Sequence, residues 1–287
     1  MSREESGSHT PSPRETAADP GGVRHLRNDN LALRNRLHAH SPVSAAQGIL
    51  KERYRLTSLD TGFELLRRSS QQHNIKLHTL ADAVIRVPGP DRHATAWFPR
   101  RARTSPPPLT EIRPPDQSGF TATQGSVLGA GLKRVLSIAE TTMGNAQLVE
   151  RGLLRLEKHT GLDRQFTDFF AFVDDSTTAC AQAAKDRQQI TVRDVATAAV
   201  FDPESRRVIL RAGSRACHSV PVVDDRGALL GVISTHHSRP LSDDFTPVQR
   251  DALHSAATTV GRWLSWHRHT VVLDALEHLH STARQAH

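Results

Sequence analysis

The chain has 287 residues, of which 37% are hydrophobic and only 5% aromatic, and it carries a formal net charge of +7. That length allows one large or two smaller domains, and so few large apolar side chains argue against one compact globule. No apolar run reaches the ~18 residues of a membrane span, the polar opening segment lacks the apolar core of a secretory leader, and Cys180 and Cys217 are too few for a disulfide framework or a metal site of their own, so a cytoplasmic protein is expected.

The charge is unevenly placed. Residues 1–126 hold 18 Lys/Arg against 12 Asp/Glu, whereas the remainder holds 19 against 18. The basic excess sits in the first part, which is where a polyanion partner is expected.

In chain order, residues 1–22 are Ser, Pro, Gly, Glu and Arg with almost nothing to bury, and are expected to form a disordered tail. Residues 23–40 place Leu26 and Leu33, and Asn30 and Leu37, seven apart. This reads either as a short coiled-coil seam with one polar position or as a surface helix packed on its own domain. Ser41-Pro42 punctuates the chain, serine being a good N-cap and proline fitting a first helical turn. Three helices are predicted between residues 41 and 87. The first has Val43, Ala46, Ile49 and Leu50 on one stripe. The second, with Leu59, Phe63 and Leu66, opens at a candidate capping box Thr57-Ser58-Leu59-Asp60. The third carries Leu77, Leu80, Ala81 and Val84 and ends before Pro88 and Pro90.

Residues 88–126 form a proline-rich linker, too rich in proline for regular structure and expected to be a stiff spacer, in which Trp97 and Phe98 either dock on a domain or stay exposed. Residues 127–270 mix α and β. A helix over 127–142 precedes strand-like 145–150 and 153–158 joined at Arg151-Gly152. Helical 166–172 and 179–187 and a strand over 189–192 come next. A hairpin of 216–223 and 229–235 turns on Asp224-Asp225-Arg226-Gly227, and a long helix covers 246–269 with Pro247 in its first turn. Residues 271–287 are a C-terminal helical tail. The fold class is therefore multidomain, α followed by α+β.

Residues 44–85 resemble the ANTAR family, three-helix RNA-binding modules of bacterial antitermination regulators. The resemblance rests on Ala46-x-Gly48-Ile49-Leu50, on Phe63…Leu65-Leu66-Arg67-Arg68, and on Asn74-x-Lys76-Leu77…Leu80-Ala81 in that order and spacing. Two positions depart from the family pattern. Gln47 stands where a lysine is usual, which removes a phosphate contact, and Gly62 stands where alanine is usual, at a cost of ~1 kcal/mol inside a helix. Taken with the resemblance, Gln47, Arg53, Arg67, Arg68, Gln71, Asn74 and Lys76 are the candidate RNA-binding residues: arginine contacts phosphates and stacks on splayed bases, and amides read base edges. The resemblance implies binding to tandem hairpin loops in nascent transcripts, exclusion of a terminator stem, and a homodimer that engages both hairpins, with residues 23–40 as its candidate dimer helix.

The second half resembles a GAF domain, an antiparallel sheet flanked by helices that serves as a sensor or dimerisation module. The matching text includes Met143-Gly144-Asn145-Ala146-Gln147-Leu148, Phe169-Phe170-Ala171, Ile190-Thr191-Val192, Ser219-Val220-Pro221-Val222 and Leu230-Gly231-Val232-Ile233-Ser234-Thr235-His236. A small-molecule ligand is implied, though no ligand-binding residue is assigned. Cys217-His218 enters a predicted core strand, which disfavours a covalently attached pigment, and His236 and His237 read as satisfied or exposed histidines rather than metal ligands. With no His-Glu-x-x-His, no phosphate-binding glycine loop and no nucleophile elbow, neither catalysis, a metal nor a cofactor is expected. The alternative reading is a GAF sensor or dimerisation protein whose helical bundle binds a protein or DNA partner.

Overall fold

The computed structural model describes residues 20–91, 94–113, 121–174 and 177–285, with side chains described from residue 29 onward. The expected disordered tail lies almost wholly outside the described residues, as do Pro114, Pro115, the side chain of Leu26 and the last two residues of the tail helix. Four helices build the helical part: α1 (Pro20–Tyr54), α2 (Leu59–Gln72), α3 (Leu77–Arg86) and, at the other end of the chain, α9 (Val271–Gln285). Between them lie α4 (Gln124–Ile138), β1 (Met143–Glu150), β2 (Leu153–Thr160), α5 (Arg164–Phe169), β3 (Phe172–Val173), α6 (Ala179–Asp186), β4 (Ile190–Val192), α7 (Pro203–Arg211), β5 (Ala216–Val223), β6 (Leu229–His237) and α8 (Pro247–His269).

The helix break expected at Ser41-Pro42 is absent: α1 runs through Pro42. Proline inside a helix leaves the carbonyl four residues earlier without its amide partner. Here that carbonyl belongs to His38, and it accepts a hydrogen bond from Arg151 Nη2 at 3.2 Å, while Arg151 Nη1 reaches Ser41 Oγ at 3.4 Å. Arg151 is placed by the β1–β2 turn, where Arg151 and Gly152 both have positive φ (51° and 80°), the mirror-image geometry that suits a two-residue hairpin. The sheet domain thus supplies the bond that the proline removes. Nearby, Asn35 Nδ2 donates to the carbonyl of Asp168 at 2.7 Å, and the His38 ring lies 5.2 Å from Phe172. Leu33 and Leu37, on this same stretch, stay 59% and 69% exposed.

The helical core joins Ala46 and Leu50 of α1, Leu65 and Leu66 of α2, and Leu80, Ala81 and Val84 of α3. Ser58 caps α2 by accepting from the Thr61 amide at 3.2 Å, one residue beyond the start of the candidate capping box. The remaining wall of this core comes from α9, through Val272, Ala275, Leu276, Leu279 and Ala283, so the bundle has four helices rather than three. Of the two alternatives for Trp97 and Phe98, docking is the one found. Trp97 is buried, and Glu277 of α9 accepts both backbone amides, of Trp97 and of Phe98, at 2.9 Å each. Asp274 of α9 pairs with Arg101 and Arg103 as well, so two carboxylates of α9 strap the proline-rich segment to it.

The second part is a six-stranded antiparallel sheet in the order β3-β2-β1-β6-β5-β4. Side chains alternate across it. Ala146, Leu148, Val220, Val222 and Ile233 pack with Leu128, Leu132, Leu253, Val260 and Trp263 of α4 and α8. On the opposite face, Leu154, Val192, Cys217 and Val232 meet Phe166, Ala179, Val208 and Ile209 of α5, α6 and α7. The β5–β6 turn forms as its sequence predicts: Asp224 Oδ1 accepts the amides of Arg226 and Ala228, and Gly227 takes φ 73°.

Candidate nucleic-acid interface

On α2, three of the seven candidate residues come together. Residues three and four apart share a helix face, and Glu64 uses both spacings. It accepts from Arg67 Nε at 2.8 Å and Nη2 at 2.5 Å, and from Arg68 Nε at 3.0 Å. Arg67 Nη1 then donates to Gln71 Oε1 at 2.8 Å. Hydrogen bonds from Arg67 and then Arg68 hold the Glu64 carboxyl down at about 2, and Glu64 raises the Arg67 guanidinium in return. The result is an ordered, exposed fork of two arginines and an amide carrying one net positive charge.

The other four candidates have different surroundings. Gln47, half-buried on α1, donates to the carbonyl of Leu59 at 3.2 Å, fastening α1 to the start of α2. A Cβ on Gly62 would lie 3.2 Å from the Gln47 carbonyl oxygen and 3.5 Å from its Cα. The two departures from the family pattern therefore face each other across the α1–α2 contact, and close approach of the helices is what the missing methyl permits. Arg53 is turned to the strap rather than to the α2 fork: its guanidinium carbon lies 4.8 Å from the centre of the Trp97 ring, and Nη1 is buried with no hydrogen bond among the described residues. Asn74 is exposed in the α2–α3 turn at φ 49°, a left-handed position that asparagine tolerates.

Lys76, at the N-cap of α3, pairs with Glu157 of β2. Glu157 is nearly inaccessible, its side chain 2% exposed. The same patch holds His78, with Nδ1 3.2 Å from Glu150 and Nε2 3.6 Å from Glu157, and Arg155, 3.3 Å from Glu150 and 3.4 Å from Glu157. Burial raises the Glu150 carboxyl, but His78 and Arg155 beside it outweigh that and leave it below its ordinary value. A candidate RNA contact of the bundle is thus bound to a carboxylate of the sheet domain.

In the sheet itself, the β1–β6 and β5–β6 registers put Asn145, Gln147, Ser219, Ser234 and His236 on the face covered by α5, α6 and α7. His236 sits between Ser214 Oγ at 2.9 Å and Asn145 Oδ1 at 3.3 Å, and burial pushes its imidazole down to about 3. His218, on the other face, bonds Thr191 Oγ1 and Gln189 Oε1 at 2.9 Å each, and burial lowers it to about 4. Gln147 Nε2 reaches the Phe170 carbonyl at 3.4 Å, while its Oε1 is buried with no hydrogen bond among the described residues. Burial raises the thiols of Cys217 and Cys180. Among the described residues no group of three or more His, Cys, Asp and Glu converges as a metal site, and no helix is long and apolar enough to cross a membrane.

The chain is thus a helical bundle with a guarded basic face, coupled through ion pairs to an antiparallel sheet packed between helices, and the family matches support a regulator with a sensory domain. The GAF domain model matches residues 77–263, more than half of the chain, and the chain belongs to that family; the ANTAR domain model matches residues 31–85. Similar solved structures include a domain of a two-component sensor histidine kinase protein from Sinorhizobium meliloti 1021 (21% identity, covering 52% of this chain and 95% of that one, TM-score 0.43). Another is the GAF domain/HD domain protein from Geobacter sulfurreducens (13% identity, covering 52% and 97%, TM-score 0.44). No curated protein matches the chain in sequence.

Sequence reasoning assigned no role to α9. Its apolar stripe of Val272, Leu276, Leu279 and Ala283 at helical spacing signals a buried face, but no local pattern says that the face belongs to a bundle about 190 residues earlier.

Proposed function

We propose that this chain is a signal-responsive, RNA-binding regulator of transcription antitermination, in which the bundle binds hairpin-loop RNA and the sheet domain sets its availability. The observation that carries this is the Arg67–Arg68–Gln71 fork, held rigid by Glu64 on the exposed face of a bundle matched by the ANTAR model. Two guanidiniums and an amide supply phosphate contact, stacking surface and base-edge hydrogen bonds, the chemistry a single-stranded loop requires. Binding would stabilise a hairpin that competes with a terminator stem. No catalytic role is proposed for any residue.

The Lys76–Glu157 pair supports the regulatory half of this reading. RNA phosphate and Glu157 would compete for one ammonium, so a signal that shifts β2 changes what α3 can offer. Gln147 Oε1, with no donor among the described residues, supports a small polar ligand on the α5–α7 face of the sheet, since a buried acceptor without a donor is uncommon in a closed core. Leu33 and Leu37 support a homodimer through α1, because two leucines one turn apart, left exposed in one chain, can be covered by a second copy. Leu33→Glu with Leu37→Glu is expected to convert dimer to monomer by sedimentation equilibrium; an unchanged mass would remove α1 from the interface.

The test is binding of the full chain to a tandem-hairpin RNA and to a duplex DNA of equal length at matched salt. Preference for the RNA of at least tenfold is expected, with a loss on Arg67→Ala and Arg68→Ala. Equal affinity for both would favour a DNA-binding regulator, and binding to neither would favour a protein partner. The charge held by Glu64 is the feature that suits this last reading.

A further inference from the structure

Beside the α2 fork lie polar side chains of α9, a helix outside the ANTAR match. A cleft of about 480 Å³ opens between α2 and α9, lined by Arg68, Gln71, Gln72, His278 and Thr282. Its five side chains are all hydrogen-bonding and none is acidic. The α2 side is the arginine–amide fork already described. With Arg68 Nε committed to Glu64 and Gln71 Oε1 to Arg67, the Arg68 Nη groups and the Gln71 Nε2 amide are the atoms left to donate.

The α9 side is equally fixed. His278 Nδ1 bonds the buried Ser69 Oγ at 3.0 Å, and its ring lies 5.5 Å from His73. Ser69 thereby sets the ring's orientation and leaves Nε2 as its remaining hydrogen-bonding atom. Thr282, one turn further along α9, donates its hydroxyl to the His278 carbonyl at 2.8 Å, which turns the oxygen's lone pairs outward.

We infer that this cleft receives an unpaired base from an RNA hairpin loop, so that His278 and Thr282 of the C-terminal helix read the RNA together with Arg68, Gln71 and Gln72 of α2. This rests on the RNA-binding reading above and extends it to a helix that the family match does not contain. The chemistry selects a base over the alternatives. A phosphate site would need several converging cations or backbone amides, whereas the cleft has one guanidinium and its two carboxamides are neutral. A peptide side chain would need an apolar anchor, and the lining side chains offer none. Two carboxamides provide donors and acceptors for a base edge, while a guanidinium and an imidazole provide flat faces for stacking.

The probe is a hairpin RNA pool with a fixed stem and a randomised loop, selected on the full chain. The same selected RNA is then bound by His278→Ala, Thr282→Val, Gln72→Ala and Arg67→Ala variants, each checked by circular dichroism. Because His278 also contacts Ser69 and His73, Thr282→Val and Gln72→Ala keep the test valid if His278→Ala misfolds. The expected result is tenfold or greater weakening by the His278 and Thr282 variants, with base preference relaxed at one loop position and the salt dependence unchanged, since no phosphate contact is lost. If folded His278→Ala and Thr282→Val variants bind and select as the parent does while Arg67→Ala does not, the RNA reading stands and α9 has no part in it. If the parent chain enriches no loop sequence, the RNA-binding reading itself fails, and the cleft's role with it.

Discussion

Glu64 is the residue on which the basic face turns. It neutralises one of two adjacent arginines and, held at about 2 by their hydrogen bonds, does so across the physiological pH range. Glu64→Gln is expected to raise RNA affinity severalfold and to steepen the salt dependence by nearly one phosphate equivalent, measured by filter binding from 50 to 200 mM salt. Unchanged affinity would mean that the fork contacts no phosphate. The spacing of Glu64 to Arg67 and Arg68 was readable in the sequence; that one carboxylate serves both was not, because it depends on which rotamers the α2 face allows. Nor could the sequence pair Gln47 with Gly62. Each is a departure on its own helix, and only the packing of α1 on α2 puts the glycine against the glutamine backbone.

At the level of elements, most segments were legible because hydrophobic periodicity and turn chemistry are local. The β5–β6 hairpin and α8 with its Thr246 cap follow directly from their sequences. Three elements were not legible, for different reasons. The two-residue β3 falls at the end of a segment read as helical over 166–172. In α7, Asp202-Pro203 is a sound start signal, but its apolar residues are the consecutive Val208-Ile209-Leu210, a run as compatible with strand as with helix. In α1, the local rule at Pro42 was overridden by Arg151 from more than 100 residues away. Pro42→Ala is therefore expected to raise the stability of α1, by up to ~3 kcal/mol since the lost backbone bond returns. Arg151→Ala should lower it, and should lower it less in the Pro42→Ala background. A double-mutant cycle on thermal unfolding measures the coupling, and strict additivity would show that Arg151 does not cap His38. The docking of α9 is tested separately by Leu276→Ala. Leu276 is fully buried, and the change should cost ~2–5 kcal/mol, read as a loss of helical signal at lower denaturant. A cost near zero would mean that α9 leaves the bundle in solution.

At the scale of the whole molecule, buried imidazoles set the acid limit of the fold. Burial holds His236 at about 3 and both His218 and His267 at about 4. In the unfolded chain each returns to ~6.5, so the unfolded state takes up protons first as pH falls. Stability is then complete above pH ~6.5 and declines as pH drops toward 4 and then 3. At pH 5 each group would already cost roughly 2 kcal/mol relative to neutral pH. Thermal unfolding at pH 7 and pH 5 should show a clear fall in Tm, and an unchanged Tm would mean that water reaches these rings. The domain order was visible in the sequence, but the interlock was not: Lys76 with Glu157, Arg151 with His38 and α9 with the bundle are all contacts between distant segments.

The shared core of α1 and α9 also has a temporal side. Side chains from residues 46–84 and from 272–283 fill one interior, so about 190 residues must be added between emergence of the first set and arrival of the second. At translation rates of ~5–20 residues per second that interval is roughly ten to forty seconds. Through it the nascent bundle lacks a wall, and on the function proposed above the chain should be unable to bind RNA until α9 has left the ribosome.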